Sequence, residues 1–169
     1  CDEYCLPLLY YKGFHAIQAH RINHHLWLDG RKTLAYFLQN RSSEIFGVDI
    51  HPAALFGQGI MIDHGTGVVI GETAVLGDDI SLLHGVTLGG SGKESGDRHP
   101  KVGNGVMIGA NASVLGNIRI GDGAKIGAGS VVVRDVAAHT TVVGIPAKAV
   151  GKLQNMPADD MDQNIMFNI

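Results

Sequence analysis

The segment IDHGTGVVIGETA places Asp63 and His64 directly before Gly65, with Gly67 close behind. A carboxylate that holds one imidazole nitrogen leaves the other free to act as a base. Asp49, fifteen residues upstream of His64, is expected to reach it across adjacent turns of the chain and to complete such a dyad. A second group, Asp97, Arg98 and His99 with Lys93 nearby, falls in the glycine-rich stretch GGSGKESGDRHP. Arginine is the side chain that grips a carboxylate bidentately. A base, an anion clamp and a glycine-lined channel suit acyl transfer better than hydrolysis, because no Ser or Cys nucleophile has a paired base. Metal chemistry is not expected. His20 and His24 have the i, i+4 spacing of a helical metal pair but no acidic third ligand, and Cys1 and Cys5 lack the second pair that a zinc site needs.

Residues this far apart need a scaffold, and its period is six. Aliphatic or equivalent residues recur at Ile50, Phe56, Ile62, Val68, then Ile70, Leu76, Leu82, Leu88, then Val102, Ile108, Val114, Ile120, Ile126, Val132. The position four later is small or branched: Ala54, Thr66, Ala74, Val86, Ala112, Ala124, Ser130. Three short strands of six residues make a triangular coil whose first and fifth positions point inward. The pattern resembles the hexapeptide repeat of left-handed parallel β-helices, and residues 48–150 suffice for about five coils. Coils stacked at about 4.8 Å leave no room for rings between them, and every aromatic residue except Phe167 lies at or before Phe56. The register breaks between Ile62 and Ile70, and again between Leu88 and Val102. A solenoid that interrupts itself usually does so for function. Its flat sides suit a trimer, with ligand clefts between subunits.

Residues 1–47 read differently. Leu8, Leu9, Phe14, Ile17, Ile22, Leu26 and Trp27, then Leu34, Tyr36, Phe37 and Leu38 recur at helical spacing around a break at Gly30, giving a helical hairpin over about residues 6–46. The 169 residues carry 13 Lys+Arg against 16 Asp+Glu, a net charge of −3, which offers no field for nucleic acid or an anionic membrane. No stretch reaches the roughly 20 apolar residues that span a bilayer, and the first residues do not read as a signal peptide, so a cytoplasmic protein is expected. A first residue other than Met suggests that residues upstream are missing.

The run DIHPAALFGQGIMIDHGTGVVIGETAVLGDDISLLHGVTLGGSGKESGDRHPKVGNGVMIGA, with LPLLYYKGFHAIQAHRI before it and VVGIPAKAVGK after it, resembles the bacterial serine acetyltransferases, a hexapeptide-repeat acyltransferase family. DHGTG combined with GDRHPK is specific to them. The resemblance implies transfer of acetyl from acetyl-CoA to the hydroxyl of L-serine, giving O-acetyl-L-serine for cysteine synthesis. It makes His64 the general base, Asp49 its orienting partner, Asp63 the receiver of the serine ammonium, and Arg98 and His99 the holders of the carboxylate. Gly90, Ser91, Ala110, Lys125 and Ala128 would line the acetyl-CoA channel, with Lys125 and Lys148 offering charge to its phosphates. His84, one coil beyond His64, would border the site without being the base.

The family has a longer helical N-terminal region that builds a dimer of trimers, so residues 1–47 read as a truncated version of it. L-Cysteine, with SH in place of OH, is implied as a feedback inhibitor. Residues 151–169, KLQNMPADDMDQNIMFNI from Lys152 onward, lack the period of six and are expected to be mobile. Ile169 at the acidic tail's end resembles the family's docking residue for O-acetylserine sulfhydrylase. The rivals are a hexapeptide acyltransferase with a sugar acceptor and a γ-type carbonic anhydrase. The latter needs two closely spaced zinc histidines, which His51, His64, His84 and His99 do not supply. A β-helix used only as a scaffold would need threonine ladders that Thr66, Thr73, Thr87, Thr140 and Thr141 do not form.

Overall fold

The computed structural model describes residues 5–92 and 95–164. The chain begins with α1 (Cys5–Tyr10), α2 (Lys12–Leu28) and α3 (Lys32–Phe46). Gly13, Ala16, Ile17, His20, Asn23 and Leu26 form the buried stripe of α2 at steps of three and four. Its backbone lies flush on the solenoid, because a Cβ on Gly13 would overlap the carbonyl of Ile62. α3 stops at Gly47, whose left-handed φ of 66° turns its N–H onto the Ser43 carbonyl and aims the chain straight into the first strand.

The coils follow in order. The first holds β1 (Val48–Ile50), β2 (Leu55–Phe56) and β3 (Met61–Ile62); the second β4 (Val68–Ile70), β5 (Val75–Leu76) and β6 (Ser81–Leu82). The third holds β7 (Thr87–Gly89), β8 (Lys101–Val102) and β9 (Met107–Ile108), and the fourth β10 (Ser113–Leu115), β11 (Arg119–Ile120) and β12 (Lys125–Ile126). The last is β13 (Val131–Val132) and β14 (Thr140–Gly144), closed by an antiparallel return strand, β15 (Ala147–Lys152). Three sheets result. Sheet A is β1-β4-β7-β10-β13, sheet B is β2-β5-β8-β11, and sheet C is β3-β6-β9-β12-β14-β15. All pairs except the last are parallel. This is the expected parallel β-solenoid.

The core is a set of aliphatic columns, one residue per coil. Ile50, Ile70, Leu88, Val114 and Val132 stack in sheet A, and Ile62, Leu82, Ile108, Ile126 and Val142 in sheet C. Phe56 heads the column Phe56, Leu76, Val102, Ile120, Val136 in sheet B. It tolerates a ring because no coil lies before it, and the space is filled by His20 of α2, ring centroids 4.4 Å apart. The fifth positions Ala54, Ala74, Val86, Ala112, Ala124 and Ser130 are fully buried as expected, but Thr66 is exposed. The step from Asp49 to its partner Val69 is 20 residues, against 18 from Val69 to Thr87, and the two extra residues push Thr66 out of the wall.

The described part of the tail departs from expectation. β15 continues to Lys152, and Pro157 and Ala158 of the short α4 (Pro157–Asp160) are buried. Ser81 donates to the Ala158 carbonyl at 2.9 Å and Lys125 to the Asn164 carbonyl at 2.8 Å, so residues up to 164 dock on the outer side of sheet C rather than standing free. Met107 lies between Ser81 and Lys125 on that side and is buried with them.

His20 is the polar group in the helix–solenoid junction, 3% exposed, with its Nδ1 unpartnered. Burial first, then the proximity of His24, Arg21 and His51, lowers its pKa from 6.5 to about 4 against the opposing hydrogen bond to the Ala54 backbone. A depressed histidine is protonated in the unfolded chain before it is protonated in the folded one, so stability is lost as pH falls from about 6.5 towards 4. The loss amounts to about 3 kcal/mol at most. Thermal unfolding at pH 7.5 and 4.5 should show a drop in the parent that is smaller in His20→Phe by the His20 share, the other histidines keeping theirs; equal drops would assign the acid sensitivity elsewhere.

Candidate functional site

The two register breaks sit at two different corners of the prism. His64 lies at the corner between sheets C and A, where the two extra residues widen the turn. It adopts a left-handed φ of 58°, a conformation a side chain rarely takes outside such corners, and its imidazole is 73% exposed. Nε2 stands 3.6 Å from Asp63 Oδ2. Extending the sheet C register past the strands stacks His84, Ala110 and Ala128 beyond His64, one per coil. The bonds from Gly85 N–H to Thr66, Asn111 N–H to His84 and Gly129 N–H to Ala110 hold this edge together. The His64 and His84 rings meet edge to face at 6.0 Å, and His84 Nδ1 is buried without a partner. Beyond the two imidazoles, the small side chains of Ala110 and Ala128 continue the column, with Asn111 beside them against Gly85.

The clamp residues occupy the next corner, between sheets A and B. The chain leaves the wall after β7 and returns at β8, so that Arg98 and His99 fold back over Gly71, Glu72 and Thr73 of the coil before. Thr73 Oγ1 accepts from the backbone N–H of Arg98 at 3.0 Å and of His99 at 3.1 Å, and its hydroxyl lies 2.9 Å from His99 Nδ1. The Thr73 N–H also donates to that Nδ1, at 3.2 Å, which fixes Nδ1 as the acceptor and leaves the proton on Nε2. His99 is 7% exposed, and burial, followed by the Arg98 charge, lowers its pKa. Arg98 Nη2 donates to Glu72 Oε2 at 2.8 Å, a bond that lowers the Glu72 pKa, and Nη1 donates to the Gly96 carbonyl. Lys101 Nζ ties the loop's return to Thr73, Asp97 and His99.

The expected contact between Asp49 and His64 does not form within the chain. Asp49 points outward from β1 on the A side, where its Oδ1 accepts from Gln39 Nε2 of α3 at 2.7 Å, and the carboxylate paired with His64 is Asp63. Fifteen residues carry the chain round to the corner before sheet A, whereas a carboxylate facing out of β1 belongs with His51, two residues on. His51 itself is wedged among Trp27, Tyr36 and the clamp; its pKa is lowered by burial and by Arg98 and raised by Glu72 and Asp49.

The expected channel residues are likewise divided. Ala110 and Ala128 lie on the His64 edge, while Gly90 and Ser91 open the clamp loop, Gly90 packing on Arg98. Lys125 is 3% exposed, with its ammonium at the Asn164 carbonyl and 3.8 Å from Asp162 Oδ2. It cannot face a phosphate while the tail occupies it. Lys148 lines a cavity of about 780 Å³ between the last coil and β15, with Arg134 and Lys152. Lys93 and Ile169 lie outside the described residues. The reading from sequence missed Glu72 and Thr73. Their signal was a charged and a hydroxyl residue together at the corner one coil before the long loop. Among the described residues no group of three or more His, Cys, Asp or Glu could hold a metal ion, and no helix is long and apolar enough to cross a membrane.

Sequence and backbone are similar to those of known proteins. The family described as Bacterial transferase hexapeptide (six repeats) matches residues 99–134. A serine acetyltransferase of Salmonella typhimurium is 63% identical over 164 residues, 96% of this chain and 60% of the relative. A serine acetyltransferase of Neisseria gonorrhoeae, solved in complex with serine, is 78% identical over 89% of this chain and 62% of its own, with a TM-score of 0.87. One from Brucella abortus, solved in complex with coenzyme A, is 57% identical over 90% of this chain and 61% of its own, with a TM-score of 0.90. The chain thus spans about 60% of the length of these relatives, and within that span sequence and backbone both follow the serine acetyltransferases.

Gly71 is where this site admits no side chain, because a Cβ there would overlap the His99 imidazole. If Arg98 and His99 hold an acceptor, Gly71→Ala, by displacing His99, should raise that acceptor's KM at least tenfold, with the fold's melting temperature little changed. An unaltered acceptor KM would mean that the seat of His99 over Gly71 is unimportant for binding.

Proposed function

We propose that this chain is the catalytic part of a serine acetyltransferase, moving acetyl from acetyl-CoA to the hydroxyl of L-serine to give O-acetyl-L-serine and CoA, a step of cysteine synthesis. The observation that carries the reading is the placement of an exposed imidazole and a carboxylate clamp on the two edges of one face, sheet A. A single chain keeps these halves apart by the width of that face. Packing three copies about a threefold axis sets the His64 edge of one against the Arg98 edge of the next, which makes one complete site per interface.

In such a site His64 takes the proton of the serine hydroxyl as its oxygen bonds to the acetyl carbonyl carbon. The carbon–sulfur bond then breaks, and the departing CoA thiolate takes the proton from the His64 imidazolium, which restores the base. Asp63, beside His64, receives the serine ammonium. Arg98 retains guanidinium N–H groups not used by Glu72 and Gly96, and these, with His99 Nε2–H, hold the carboxylate. Asp49 of the adjoining copy orients the His64 imidazole. The acyl donor runs along the edge past His84, Ala110 and Ala128, with Gly90 and Ser91 closing the other side. L-Cysteine, carrying the same ammonium and carboxylate, competes with serine. In the cytoplasm, O-acetylserine sulfhydrylase would dock at Ile169.

His64→Ala should lower turnover roughly 10²- to 10⁴-fold while the trimer persists; near-normal turnover would remove the base. Mixing subunits tests the division of the site. If His64→Ala and Arg98→Ala chains, each nearly inactive alone, are refolded together in equal amounts, about one interface in four pairs an intact His64 with an intact Arg98. Roughly a quarter of the parent activity should return. No recovery in a mixed trimer, verified by mass, would place the whole site in one chain.

A further inference from the structure

Helix α3 reaches the Asp49 carboxylate through Gln39. Gln39 Nε2 donates to Asp49 Oδ1 at 2.7 Å, while Oδ2 of the same carboxylate makes no hydrogen bond among the described residues. The bonded pair lines a small polar cleft of about 260 Å³ together with Tyr36, Asn40 and Ser43. Their separation is set by rigid elements on both sides. α3 is continuous from Lys32 to Phe46, its cap at Gly47 leads into β1 without an intervening loop, and β1 is locked to β4 in register. The carboxylate is therefore held at one oxygen and bare at the other. An amide N–H is a donor that cannot take the proton it offers, so it fixes the carboxylate's rotation without competing as a base. That leaves Oδ2 to accept from an imidazole N–H arriving from outside the chain.

We propose that Gln39 is a positioning residue for Asp49, and that the helical region thereby sets the orientation of the carboxylate that steadies the catalytic imidazole. The inference rests on the reading of Asp49 as the partner of His64 and gives α3 a place in that dyad. Asn40, on the same cleft, hydrogen-bonds Glu44 instead and has no such part.

Gln39→Leu removes the donor at nearly constant volume. Its kcat should fall roughly ten- to a hundredfold, the worth of a hydrogen bond to a charged group, with the KM values for serine and acetyl-CoA within twofold of the parent and the trimer intact. Asn40→Ala should leave all three constants unchanged. The decisive measurement is the cycle with Asp49→Asn. Once the carboxylate is gone, adding Gln39→Leu should cost no more than twofold further, because the amide then orients no charged acceptor for the imidazole. Equal losses from Gln39→Leu in both backgrounds, or a parent-like kcat for Gln39→Leu beside an impaired Asp49→Asn, overturn the inference alone. A parent-like kcat for Asp49→Asn overturns the reading of the dyad on which it stands.

Discussion

Every feature of the site follows from the need of each coil to lie on the next at about the strand spacing, roughly 4.8 Å. A side chain pointing inward must fit between its counterparts before and after, which yields columns such as Ile50, Ile70, Leu88, Val114 and Val132. The same condition leaves little freedom on the flat faces, where strands are two or three residues long. The two register breaks are where the chain carries side chains farthest from the wall. Two extra residues open the corner that carries His64, and the excursion between β7 and β8 carries Arg98 and His99. The insertions are tolerated because the strands before and after them remain in pairing, Val69 with Thr87 and Ile70 with Leu88, so the cost is confined to the corner.

What makes the long loop a clamp is its attachment to the preceding coil. The Arg98–Glu72 pair is only partly buried, and pairs of that kind add little stability. Its contribution is geometric, as is that of Thr73, whose hydroxyl and N–H between them engage two backbone N–H groups and one imidazole nitrogen. His99, buried and neutral, gains orientation at the expense of basicity. His64 instead stands exposed at a corner where its backbone is left-handed.

Legibility in the sequence followed the periodicity. The period of six showed the solenoid, the inward positions, both breaks and the stacking of His84 on His64, since each depends on counting residues along one chain. The helices were visible in their apolar spacing, though α1 separates from α2 at Tyr11. Counting failed where the partner lies on another element. Asp49 reads as a neighbour of His64 at fifteen residues, yet its bond is to Gln39, a residue of a helix with its own period. Thr66 obeys the six-residue rule and is nevertheless expelled, because the extra residues lie on its own corner. The tail has no period at all, and its docking on Ser81 and Lys125 could not be counted from either end.

The division of the site between two corners also bears on what the scaffold is for. A solenoid holds residues on one edge at fixed intervals of a coil, but it cannot bring two of its edges together, because the sheet between them is rigid. Two edges of a prism meet only when another prism is laid alongside. The fold therefore fixes two separate groups: two imidazoles and a column of small residues on one edge, Arg98 and His99 with a helix-held carboxylate on the other. Each half is fixed by backbone stacking rather than by contact with the other, so neither needs to be reshaped when copies associate. On the proposed reading, association of copies completes the site with little further ordering, because the orientation of each half is settled in the folding of its own chain.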